Sequence, residues 1–142
     1  MELSLNQQNI QELQNLLEHD NHDTRQALRA LFKDPLFTPR YNISLDEERD
    51  VAYKRLKSIC DNQLISVLDF KKNPHRIFSV HEAVGMMDGA AATKMTVQFN
   101  LFGGTILKLG TQIHHDKLLS DIDALNDVKF WIRPVVVRVL PC

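Results

Sequence analysis

The chain reads as an all-α domain, a helical bundle of six or seven helices with a central buried helix, followed by an unpaired β-prone C-terminal tail. Three observations predict this. Ser44-Leu-Asp-Glu47 forms a capping box ahead of an amphipathic stretch, and Asn73-Pro74 pairs a cap residue with a proline at the first helical position. From Ala90 to Leu109 the apolar residues recur at helical rather than alternating spacing.

Taken in order, residues 7–19 set Ile10, Leu13, Leu16 and Leu17 at helical intervals. Asp23 opens a second helix with Ala27, Leu28, Leu31 and Phe32 on one side. Pro35 and Pro39 each remove an amide donor and push the preceding residue from helical geometry, which predicts an extended connector. The helix begun at Ser44 runs from about Leu45 to Cys60, with acids in its first turn and Lys54, Arg55 and Lys57 later. Leu64 to Phe70 fits either helical turns or a strand by periodicity, and its helical surroundings favour helix. The next helix leads from Pro74 through Val84.

In the central segment Met95, Phe99, Phe102, Ile106 and Leu109 form one stripe at steps of four and three, while Val97, Leu101 and Leu107 fall on other faces. Gly103 and Gly104 interrupt the stripe, each costing about 1 kcal/mol of helix propensity relative to alanine, so something approaches the backbone there or the helix breaks. Gly110 suits a left-handed helix end, and Thr111 caps a last helix bearing Ile113, Leu118, Leu119, Ile122 and Leu125. The valine run after Pro134 has β propensity and no evident partner strand.

Composition bounds the function. With 44% hydrophobic and 25% charged residues the balance is that of one soluble domain, and no apolar run approaches the roughly 20 residues of a membrane span. A net charge of −1 without a basic block argues against nucleic acid as a partner. Cys60 and Cys142 make neither a CxxC pair nor a disulfide framework. His81-Glu82 begins like a zinc-protease helix, but Gly85 stands where the second histidine is required. His114 and His115 point to different helix faces, and His19 and His22 lie in a polar stretch, so no metal site is expected. Asp46 to Glu48 belong to a helix start, and Asp121 with Asp123 read as an exposed helix face. No residue is singled out as catalytic.

A functional signal comes from longer runs. Asp34-Pro-Leu-Phe, Ser44-Leu-Asp-Glu-Glu-Arg, Tyr53-Lys-Arg-Leu, Val80-His-Glu-Ala-Val-Gly and Thr93-Lys-Met-Thr-Val-Gln-Phe-Asn-Leu-Phe-Gly-Gly-Thr-Ile-Leu-Lys-Leu-Gly-Thr together resemble the N-terminal helical domain of the acyl-CoA oxidase and acyl-CoA dehydrogenase family, over about residues 28–128. The resemblance implies residues 1–128 as that helical domain, with 129–142 an atypical tail in place of the family's middle β-domain. It implies a flavoprotein oxidoreductase of fatty-acid β-oxidation and lipid metabolism, acting on acyl-CoA with FAD, located in the peroxisome. A chain that had lost a C-terminal targeting signal would be cytoplasmic. In the family, FAD lies between the middle and C-terminal domains and the catalytic carboxylate is C-terminal, so the resemblance implies no FAD bound by this chain alone and no activity in isolation. It also gives Phe99, Phe102 and Gly103 a reading as an acyl-chain wall, beside plain core packing. The tail reads either as a truncated, misspliced or frame-shifted product or as a short isoform. A second functional reading is a noncatalytic helical module that docks to a full-length oxidase subunit or another partner, or forms a homo-oligomer.

Overall fold

The computed structural model describes residues 4–126, and every regular element among them is helical. The order is α1 (Leu5–Leu17), α2 (His22–Leu31), a 3-10 turn (Pro35–Phe37), α3 (Leu45–Asp61), α4 (Asp69–Lys72) and α5 (Pro74–Met87), then α6 and α7. Helix α6 is one continuous rod of three windings: α-helical Gly89–Met95, π-helical Thr96–Gly103 and α-helical Gly104–Leu109, right-handed helical at both junctions. Helix α7 spans Gln112–Ala124. The β-prone tail expected over 129–142 lies outside the described residues.

The expected helix starts form with their caps. Ser44 accepts from the Glu47 amide while the Glu47 carboxylate accepts from the Ser44 amide at 3.0 Å. Asn73 accepts from the Arg76 amide, and Asp88 accepts from the amides of Ala90 and Ala91. The helix ends use a different device. After α3, Gln63 adopts a left-handed conformation (φ 54°), its amide reaching Cys60 O and the Leu64 amide reaching Ile59 O. After α7, Leu125 does the same (φ 53°), with bonds to Ile122 O and, from Asn126, to Asp121 O. Both are Schellman closures built without glycine. Gly110 is the converse: its backbone is extended (φ −70°, ψ 147°), not left-handed. Glycine is required there because a Cβ would collide with the Ile106 carbonyl and crowd His114.

The core gathers Leu28, Phe37, Ala52, Leu56, Ile59, Val80, Val84, Met95, Phe99 and Ile122. Helix α6 is central: its first segment packs on α3 and α5, and its π segment packs on α7. Its buried residues differ from the expected stripe, however. Besides Gln98 and Gly104 they are Ala91, Met95, Phe99, Gly103 and Leu107, a series at uniform steps of four, whereas Leu109 is exposed. A pure α-helix would rotate such a series off one face, because four residues exceed a 3.6-residue turn. The wider π turn, closed by i to i+5 bonds, rotates it back.

Leu64 to Phe70 departs from expectation as well. Residues 62–68 are a non-helical loop, and only Asp69–Lys72 make a helical turn. Leu64, Ile65 and Val67 are nonetheless buried. Buried backbone amides need partners. Here the Ser66 amide donates to Asp69 at 2.9 Å and the Val67 amide to Asp123 at 2.7 Å.

Candidate functional site

Two buried arginines tie the helices together and show which charges are already engaged. Arg55 on α3 donates from Nε to Leu36 O at 2.9 Å, from Nη2 to Thr38 O at 2.7 Å and from Nη1 to the Asp88 carboxylate at 2.7 Å. It thereby fixes the proline-bearing connector against the start of α6. Arg25 on α2 pairs with Asp20 at 3.0 Å and with Glu82 of α5 at 2.9 Å. Burial would raise the Asp20 carboxyl, but hydrogen bonds from Arg25 and Ser79, the Arg25 charge and His19 outweigh it and hold it below the usual carboxylate range.

The α6 segment singled out by sequence is a packing centre. Phe99 is fully buried, and Phe102 is partly buried against the core. A Cβ on Gly103 would lie 2.5 Å from Val67 Cγ2 and 3.3 Å from Ile122 Cγ2, so the absent side chain lets α6 approach the 62–68 loop and α7. Beside Phe99, buried Gln98 donates from Nε2 to the Ile122 carbonyl at 3.1 Å, joining α6 to α7 through a polar bond that apolar periodicity does not reveal.

Among the described residues, open cavities border the body. One, of about 560 Å³, lies where α3, the 62–68 loop and α7 meet, lined by Cys60, Ser66, Arg76 and Asp123 among others. The second, about 410 Å³, lies beside the connector and the α5–α6 junction and includes Arg40, Tyr41, Glu48, Met86 and Asp88. Neither is lined by Phe99, Phe102 or Gly103. In the first, burial pushes the Cys60 thiol up to about 12, against the lowering charge of Lys57, so it is a poor nucleophile at neutral pH. Burial also raises the Asp123 carboxyl, only partly offset by Ser66 and Val67 donors. Asp123 is therefore not the exposed acid expected from its place on a helix: its two oxygens hold Ser66 Oγ at 2.6 Å and the Val67 amide at 2.7 Å.

The first cavity does not suit the pyrophosphate of a flavin dinucleotide, which needs uncommitted cations or amides: Arg76 is engaged by Asp69 and Gln63 O, and Asp61 and Asp123 add negative charge. Among the described residues no group of three or more His, Cys, Asp or Glu side chains could hold a metal ion, and no helix is long and apolar enough to cross a membrane.

Comparison with known proteins gives one consistent family. Acyl-coenzyme A oxidase 2, peroxisomal, of Arabidopsis thaliana is 36% identical over 93 residues, covering 59% of this chain and 12% of that protein. Peroxisomal acyl-coenzyme A oxidase 3 of Homo sapiens is 31% identical over 87 residues, 60% of this chain and 12% of its own length. A putative peroxisomal acyl-coenzyme A oxidase of Arabidopsis thaliana is 25% identical over 129 residues, 80% of this chain and 19% of its own. No family model and no solved structure matches.

Proposed function

We propose, from the premise that this chain is a relative of the acyl-coenzyme A oxidases and spans 12–19% of the length of these relatives, that it supplies the N-terminal helical part of a flavin-dependent oxidase. The whole protein would remove hydrogens from the α and β carbons of an acyl-CoA in peroxisomal fatty-acid β-oxidation. The observation that carries this reading is the shared stretch of about 90 residues with oxidases from a plant and a human. The all-helical body agrees with it.

FAD, when bound by the whole protein, would accept the hydride, and the cavity beside Asp123 does not suit its pyrophosphate. Their part is to build and hold a wall. Phe102, the part-exposed member of the trio, would touch the acyl chain, while Phe99 and Gly103 behind it would keep α6 seated on Val67 and Ile122. Acyl chains gain by burial against apolar and aromatic surface, which is the chemistry Phe102 offers.

The first experiment is the ultraviolet-visible spectrum of the purified chain, followed by FAD titration and a peroxide assay with acyl-CoA. A colourless, helical protein without peroxide release is expected. A flavin band with turnover would overturn the reading that these residues contribute only a wall. Amide chemical shifts recorded during acyl-CoA titration test the wall itself: changes centred on residues 99–104 are expected, and unchanged spectra at millimolar ligand would remove Phe102 from the substrate path.

A further inference from the structure

Three methionines follow one another along α5 and α6 at three depths. Met86, in the last turn of α5, is 80% exposed, Met87 is partly buried against the core, and Met95 of α6 is fully buried within it. Met86 also borders the open cavity of about 410 Å³ beside the connector, whereas Met95 lines neither cavity. A small solute therefore reaches the Met86 sulfur from open water and meets Met95 only if the core opens.

A thioether is soft and polarisable, and peroxide oxidises it without any prior ionisation, so access sets the order of reaction. The sulfur lone pair attacks one oxygen of hydrogen peroxide, and the O–O bond breaks as the S–O bond forms. The departing hydroxide takes the proton left on the new S–OH group and leaves as water. Methionine loses two electrons and the peroxide gains them.

The consequence depends on where the sulfoxide forms, because oxidation turns an apolar side chain into a polar one. At Met86 the new oxygen stands in water, and no core contact is lost, since Met86 is not a member of the core cluster. At Met95 the same oxygen would be a polar group shut inside the apolar core, a burial that costs stability unless a donor meets it.

We infer that Met86 is a sacrificial oxidation site for hydrogen peroxide, taking a limiting dose of oxidant ahead of Met87 and Met95 without loss of the fold. The inference rests on the oxidase reading for the source of the peroxide alone, since an oxidase passes electrons to oxygen. Peroxide added from outside tests the site whether or not that reading stands.

The full chain carrying Cys142→Ser, which removes the tail thiol, is treated with less than one equivalent of hydrogen peroxide, and sulfoxide at each methionine is followed by peptide mass spectrometry. Met86 should be modified first, Met87 next, and Met95 slower than Met86 by at least about tenfold. The melting temperature should be unchanged while Met86 alone is modified. In urea the three rates should converge, because burial rather than neighbouring sequence sets the order. In a Met86→Leu chain the same dose should raise the sulfoxide found at Met87 and Met95. Met95 reacting as fast as Met86 in the folded chain, an order that persists in urea, a melting temperature that falls with Met86 alone modified, or no added oxidation elsewhere in Met86→Leu would each overturn the inference.

Discussion

Gly103 of α6 and Val67 of the 62–68 loop are in contact so close that the glycine has no room for a methyl group: a Cβ there would sit 2.5 Å from Val67 Cγ2. Gly103→Ala gains about 1 kcal/mol of helix propensity but overpacks a buried site, which costs about 1–3 kcal/mol, so the single change should destabilise. Val67→Ala alone should cost on the order of 2 kcal/mol through lost packing. Together the two should be less harmful than their sum, since the added methyl enters the space the valine leaves. Urea denaturation of the four chains measures this, and additive losses would show that the contact is not the constraint.

Arg55 should be among the least replaceable polar residues. Its removal takes the donor from Asp88 Oδ2 and from the carbonyls of Leu36 and Thr38 together, leaving the Asp88 charge without its cation. Breaking a buried pair by deleting one partner costs about 3–5 kcal/mol, so Arg55→Ala should lower the melting temperature steeply. Arg55→Lys keeps the charge but loses the fork and should fall between the two. A melting temperature unchanged in Arg55→Ala would mean the connector is held by something else.

Two carboxylates should respond oppositely to acid. The Asp20 carboxyl is lowered in the folded chain, so its stabilisation is complete above the unfolded value, about 3.9, and is lost as pH falls through the folded value. Asp123 is raised by burial, so the folded state takes up its proton first, and stability from this group rises as pH falls through its folded value toward about 3.9. Relative to Asp20→Asn, the native chain should therefore lose its advantage in acid; relative to Asp123→Asn it should gain. Parallel curves from pH 7 to 3 for both comparisons would contradict these assignments.

Cys60 should resist chemistry. A buried thiol pushed up to about 12 presents almost no thiolate at pH 8. In a Cys142→Ser chain, iodoacetamide labelling of Cys60 should be slow in native buffer and rapid in urea. Equal rates would mean the site opens freely.

Much of this architecture could be read from local chemistry. Ser44 with Glu47, Asn73 with Pro74, and Thr111 lie within a turn of the groups they serve, and these starts fall where expected. The helix ends at Gln63 and Leu125 carry no such mark, because residues other than glycine hold the left-handed position while the neighbouring apolar residues are buried. The 62–68 loop departs from the helical expectation for a related reason. Its apolar residues match a buried helix, but what frees its backbone from helical bonding is Asp123, 56 residues away from Val67 in sequence. Of the proposed wall, Phe99, Phe102 and Gly103 were visible as one helical neighbourhood. That Gly103 faces Val67 and Ile122 required knowing which elements cross there.

The π-helical stretch from Thr96 to Gly103 has a bearing on how sequence distance translates into space. Each wide turn takes up more residues than the α turns around it, so each residue here turns the chain through a smaller angle. Ala91 and Leu107 consequently share a face although a regular α-helix would have turned them apart. Spacing along α6 is thus a misleading ruler: residues before Thr96 and after Gly103 share one angular frame only when this slower winding is counted.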